Sequence, residues 1–196
     1  QPVSYFMTTI LLAGCTALAA CGSEGGNPQV ESNLLGIYAV DSYKGNTLGC
    51  EQASDIDPLP PFVVLYSFLP NDDLDEPRLG GAFCGSIEAC RSVATLAEEP
   101  PIGWSFIEGN DADGWRGWAV PSAGPANDQC RADVQAHVLT ASGDMIEIET
   151  KTFEAIFEPS LEGSEATCRV RDALQSIDED TPCSEILLLE ATFDTG

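Results

Sequence analysis

Basic residues are scarce: the 196-residue chain carries 8 Lys and Arg against 32 Asp and Glu, a formal net charge of −24. Lys44 and Lys151 are its only lysines. Nucleic-acid binding needs a concentrated basic footprint, so that class is excluded. Peripheral attraction to anionic lipid is disfavoured for the same reason. An acidic, lysine-poor surface also fits bulk adaptation to a saline habitat. No run is long enough for a permanent membrane helix, which needs about 20 apolar residues. Neither a Cys-x-x-Cys motif nor a Cys/His pair at zinc spacing occurs, so no metal centre is expected from the cysteines. Gly-x-Ser-x-Gly is missing, and a Ser-His-Asp set would depend on the single histidine, His137. His137 falls on the polar phase of a strand and is read as exposed. Gly109, Gly114 and Gly117 punctuate turns and cradle no phosphate. No cofactor is expected.

Residues 5–20 are uncharged and mostly apolar or small. They contain Leu12-Ala13-Gly14-Cys15 and Leu18-Ala19-Ala20-Cys21, and are followed by Gly22-Ser23-Glu24-Gly25-Gly26-Asn27-Pro28. Each tetrad has a long aliphatic residue, two small residues and a cysteine. These motifs resemble the lipobox of bacterial lipoproteins, the sequence read by signal peptidase II. The resemblance covers residues 1 to about 27. It implies an exported protein, lipid-anchored to the outer membrane through an acylated cysteine, with Gly22 in place of the aspartate that retains lipoproteins at the inner membrane. Residues 1–20 then form a signal peptide, N-terminally clipped because no basic residue precedes Lys44 and the chain opens on Gln1. Cys21 is the preferred anchor, with Cys15 as the alternative. Its apolar run is longer, a flexible Gly/Ser stretch follows it, and cleavage there leaves an even six cysteines. Residues 21–33 are the lipidated cysteine and its tether; residues 34–196 are a single domain.

Within that domain, strands are expected at 34–43, 62–68, 79–83, 104–107, 115–120, 132–138, 145–157 and 186–193. Residues 62–68 are apolar on both faces and read as central. Gly80-Gly81 reads as a bulge, and a phase shift near residues 150–152 as another. Short helices are expected at 87–97 and within 165–176. No βαβ rhythm and no repeat appear. About eight antiparallel strands in an up-and-down meander close most simply into a barrel, because closure removes exposed edges; a β-sandwich is the alternative. The first strand, Gly36-Ile37-Tyr38-Ala39-Val40, the meander after it and a late helix before the last strand resemble lipocalin-like barrels. The chain departs from their Gly-x-Trp signature, since Ile37-Tyr38 follow Gly36. Cysteine spacing and loop pattern are also similar to small myxobacterial envelope lipoproteins, a resemblance that implies no activity.

Six cysteines in an exported domain are read as three disulfides. Spacing favours Cys84–Cys90 around a five-residue segment and Cys168–Cys183 around the late helix, leaving Cys50–Cys130. Candidate sites beyond the cysteines are few. Asn110, Asp111 and Asp113 have a calcium-loop flavour, but the pattern fails at Gly109 and Val120. Asp72, Asp73, Asp75 and Glu76 read as a solvated acidic loop. Tyr66, Trp104, Phe106, Trp115 and Trp118 are candidates to line a ligand cavity, or to pack the core. The expected function is a non-enzymatic outer-membrane lipoprotein, an envelope interaction module whose partners are the membrane, through its anchor, and another envelope protein. A carrier of a small apolar ligand is the alternative, and a hydrolase ranks third.

Overall fold

Runs of β-branched and aromatic residues, cut by Gly, Asn and Asp turns, fold as an antiparallel β domain. The computed structural model describes residues 29–70, 76–96, 98, 103–162, 165–178 and 180–195. The apolar segment with Cys15 and Cys21, and Asp72, Asp73 and Asp75, lie outside these residues. In chain order the elements are β1 (Gly36–Asn46), β2 (Ser54–Asp55), β3 (Phe62–Phe68), β4 (Arg78–Cys84), α1 (Ile87–Leu96), β5 (Trp104–Phe106), β6 (Glu108–Asn110), β7 (Gly114–Ala126), β8 (Gln129–Ser142), β9 (Met145–Phe157), β10 (Ser160–Glu162), β11 (Glu165–Thr167), α2 (Val170–Gln175) and β12 (Cys183–Phe193).

One sheet runs β5-β4-β3-β1-β12-β9-β8-β7-β6, with β2 added beside β1; β10 and β11 form a separate hairpin. The long strands pair with their neighbours in sequence, and the last, β12, pairs with the first. The sheet therefore curls into a nearly closed barrel rather than a sandwich. Its seam lies between β5 and β7, where Ile107 N–H donates to Arg116 O at 2.7 Å. Gly117 makes that approach possible: a Cβ there would sit 1.9 Å from the Ser105 carbonyl oxygen.

Strand alternation assigns the faces. Tyr38, Val63, Leu65, Leu79, Trp104, Phe106, Trp115, Leu139, Ile146, Ile148 and Leu189 point inward and form the central core. On β3 the alternate residues Val64, Tyr66 and Phe68 point outward and are buried beneath α1 with Cys84 and Cys90, so β3 is apolar on both faces as its sequence implies. Truncating a fully buried ring such as Phe68 costs about 3–5 kcal/mol. The second helix, α2, covers the outer face of β7–β9 at Ala132, Val134, Ala155 and Phe157.

Several expectations are corrected. Gly80-Gly81 is not a bulge, since β3 and β4 pair without a register shift; the missing side chains make room for the Phe68, Tyr66 and Trp104 rings. β8 and β9 pair without interruption; the register shift at this level falls on β12, between Cys183 and Glu185 opposite Phe153 and Thr152, so β9 itself keeps one alternation through residue 150. The buried face changes because α2 covers the outside of one half of these strands while the barrel interior covers the inside of the other half. Residues 104–107 and 115–120 are not the two arms of one hairpin. Trp104–Phe106 pairs with β4, and the hairpin arm is Glu108–Asn110. β7 runs on to Ala126, past the end expected at residue 120, with Pro121 and Pro125 along it.

The ladders define two ends. Residues 30–36, the β6–β7 turn and the Ser142–Met145 turn share one end with Phe193. The other end carries the residues after Asn46 and all three disulfides, while α1 and α2 lie along the outer faces of β3 and of β7–β9. Cys84–Cys90 pairs as spacing suggests, with a Cα–Cα distance of 5.3 Å. The other two expected pairs, Cys168–Cys183 and Cys50–Cys130, are replaced by Cys50–Cys183 and Cys130–Cys168, at Cα–Cα distances of 5.7 and 5.5 Å. The cause is topological. Closure of β12 onto β1 carries Cys183 to the residues just after β1, where Gly49 bridges Glu185. Cys168 lies in the approach to α2, above the start of β8.

Candidate functional site

A polar layer crosses the barrel interior. His137 on β8 faces Thr150 on β9 in register, and Nδ1 lies 3.0 Å from the Thr150 Oγ1. The same hydroxyl accepts a 2.9 Å hydrogen bond from Trp104 Nε1 on β5. The hydroxyl has two acceptor lone pairs and one proton, so its contact with Nδ1 forms with either imidazole tautomer. Nε2 has no hydrogen-bond partner, nor does the Thr152 hydroxyl one layer along. His137 is 2% exposed, which overturns the exposed reading. Asp133, Gln135 and His137 do share a phase, but that phase is the inner one. Ala132 and Val134 are apolar because they sit under α2. Burial alone pushes the His137 pKa down from 6.5 to about 4, so the ring is neutral near pH 7.

The Asn110-Asp111-Asp113 group is a turn and a latch. Asn110 Oδ1 accepts from the backbone N–H groups of Ala112 and Asp113, both at 2.9 Å, and Asn110 Nδ2 donates to Asp113 Oδ2 at 2.9 Å. Asp111 receives Ser32 Oγ at 2.7 Å, Asn33 N–H at 2.6 Å and Trp115 Nε1 at 2.9 Å. Its oxygens hold residues 30–35 across the end of the barrel, where Val30, Leu34 and Leu35 pack on the core. Partial burial raises the Asp111 pKa, but hydrogen bonds from Ser32, Trp115 and Asn33 outweigh it and hold the carboxyl below its usual value. At the same end the Tyr38 hydroxyl donates to Leu34 O at 2.9 Å; burial, with Asp111 and Asp144 nearby, pushes its pKa up to about 12. Among the described residues no group of three or more His, Cys, Asp or Glu is placed to hold a metal ion.

The five candidate cavity aromatics do not converge. Trp104, Phe106 and Trp115 fill the interior. Tyr66 lies on the outside under α1, its hydroxyl donating to Glu98 O at 3.0 Å. Trp118 is on the outer face of β7 and 40% exposed. A cavity of about 780 Å³ is likewise outside the barrel, between α1 and strands β1 and β3, with Arg91 and Thr95 on its helical wall. A smaller apolar cleft of about 320 Å³ lies between α2 and the sheet. Sequence reasoning missed it because its wall combines alternate residues of three strands with a six-residue helix. The one legible signal was the small-residue rhythm of Ala132 and Ala136 beneath that helix.

No family model, curated protein or solved structure matches this chain.

Proposed function

We propose that the chain is an exported, non-enzymatic lipoprotein of the outer membrane, tethered through Cys21 and acting as an envelope interaction module. The observation that carries the reading is the cysteine arithmetic. All six cysteines of the described domain are consumed in three disulfides, which leaves Cys21, or Cys15 as the alternative, without a partner in it. Complete pairing supports an oxidising compartment. The apolar segment and small-residue tetrads upstream support lipidation.

Residues 30–35 dock on one end of the barrel, so a tether would enter there. The opposite end, with the disulfides and acidic loops, would face away from the membrane and meet the partner. Interior packing favours this module over an interior carrier, because Trp104, Phe106 and Trp115 occupy the space a ligand would need. His137 at neutral pH acts as an interior hydrogen-bonding group, which supports a non-catalytic reading.

The test is membrane fractionation of the wild type and Cys21→Ser. The expected outcome is transfer of the variant to the soluble fraction. Persistent membrane association of Cys21→Ser, lost on adding Cys15→Ser, would move the anchor to Cys15; association of the double variant would refute lipid tethering.

A further inference from the structure

The cleft under α2 is built from four outward-facing strand residues. Trp118 pairs with Ala136, and Val134 pairs with Phe153 in the next row. Leu174 and Ile177 close it from the helix side. Its floor is shallow at Ala136, whose methyl group leaves open the space a larger residue would fill. At about 320 Å³ it falls at the low end of small-ligand cavities, which span roughly 300–1,000 Å³.

The roof is held at a fixed height. Cys130–Cys168 ties the approach to α2 onto β8, and Ser160 Oγ donates to Asp172 Oδ2 on the helix at 2.5 Å. Trp118 nevertheless remains 40% exposed, whereas Trp104 and Trp115 are each 6% exposed. A large ring beside an apolar cleft that cannot collapse onto it is the geometry of a preformed binding surface.

The charges around the cleft point to the head group of its ligand. The lining contains Arg171 and no carboxylate, in a chain where acidic residues outnumber basic ones 32 to 8. Arg171 makes no ion pair or hydrogen bond with the described residues. Lys151, across the ladder from Ala136, is already held by Glu149 at 2.7 Å. One guanidinium is thus left to meet a carboxylate, the planar anion its fork geometry suits.

We propose that the cleft between α2 and β7–β9 binds a small amphiphile with a single carboxylate head, its apolar chain lying against Trp118, Ala136 and Phe153 and its carboxylate on Arg171. This site is outside the barrel. It belongs to the folded domain and does not depend on whether Cys21 is lipidated.

Trp118 supplies the readout. The full chain with Cys15→Ser and Cys21→Ser, purified without detergent, is titrated with octanoate, octanol and octylammonium while tryptophan emission and acrylamide quenching are followed. Octanoate is expected to shift emission to the blue, protect against quenching and saturate. Octanol should bind more weakly and octylammonium weakest. Arg171→Gln should weaken octanoate roughly tenfold while leaving octanol unchanged. Ala136→Leu, checked by near-ultraviolet circular dichroism, should remove all three responses; Arg171→Gln, on the exposed side of α2, serves as the test if that variant does not fold. Octanol or octylammonium binding as tightly as octanoate would overturn the assigned head group. No saturable octanoate response, or an unchanged one in Arg171→Gln, would overturn the site.

Discussion

His137 makes the folded state sensitive to mild acid in a way that can be isolated from every carboxylate. Its neighbours in the polar layer are Thr150, Trp104 and, across the β7 ladder, Gly117, none of them ionisable. Burial is the sole cause of its low pKa. The folded ring has a pKa of about 4 against 6.5 when unfolded, so between these values the unfolded chain binds a proton that the folded chain does not. Stability from this group is fully present above pH 6.5, falls as the pH drops towards 4, and changes no further below that. The whole effect amounts to about 3 kcal/mol, and about 2 kcal/mol of it is lost between pH 7 and pH 5. The comparison is His137→Gln, whose amide oxygen can still accept from Thr150 but does not titrate. Urea unfolding at pH 7, 6 and 5 gives the stability of each protein. Whatever the substitution costs at pH 7, the gap between wild type and variant should change by about 2 kcal/mol in the variant's favour by pH 5. Carboxylates titrate equally in both and cancel. Parallel pH dependences would refute the reasoning, because they would mean that the ring either reaches water or finds a partner for Nε2 when charged.

Other features make equally direct predictions. Asp111→Ala removes the acceptor of Ser32, Asn33 and Trp115; hydrogen exchange should show the amides of residues 30–35 losing protection, with a stability cost of about 1–3 kcal/mol. Gly117→Ala drives a methyl group into the Ser105 carbonyl and should open the β5–β7 seam, lowering stability by about 1–3 kcal/mol in thermal or urea unfolding. Peptide mapping without reduction should recover Cys50–Cys183, Cys84–Cys90 and Cys130–Cys168; a Cys168–Cys183 peptide would contradict the topology. Replacing Cys130 and Cys168 together by Ala should cost about 4 kcal/mol in the chain-entropy model and loosen α2.

The meander could be read from the sequence because its determinants are local: alternation along 62–68 and 132–138, and turn residues such as Ser142-Gly143-Asp144. What could not be read depends on what covers each face. His137 and Asp133 occupy the same phase of β8, yet one is deep in the barrel and the other lies where the strand projects beyond it. Alternation reports that two faces differ, not which is inner, and α2 makes the outer face the apolar one. Disulfide pairing failed for a related reason. Spacing ranks partners by distance along the chain, whereas the bridge that ties Cys50 to Cys183 spans 133 positions and exists because the last strand returns to the first. The calcium-like residues illustrate a third limit: Asp111 is functional in the fold, but its partners Ser32 and Asn33 lie in a segment that composition marks only as tether.

The Cys50–Cys183 bridge also fixes how the domain would respond to mechanical load. Tension applied through residues 30–35 first meets the Asp111 latch, then peels β1 away from β3 and β12, breaking ladder bonds one after another. The peel ends at Cys50. Beyond it the force crosses the disulfide to Cys183 and passes into β12, whose far end returns to the side from which the pull began. The chain between the two cysteines, with α1, α2 and the β7–β9 sheet, lies outside the force path and keeps its length while the tether extends.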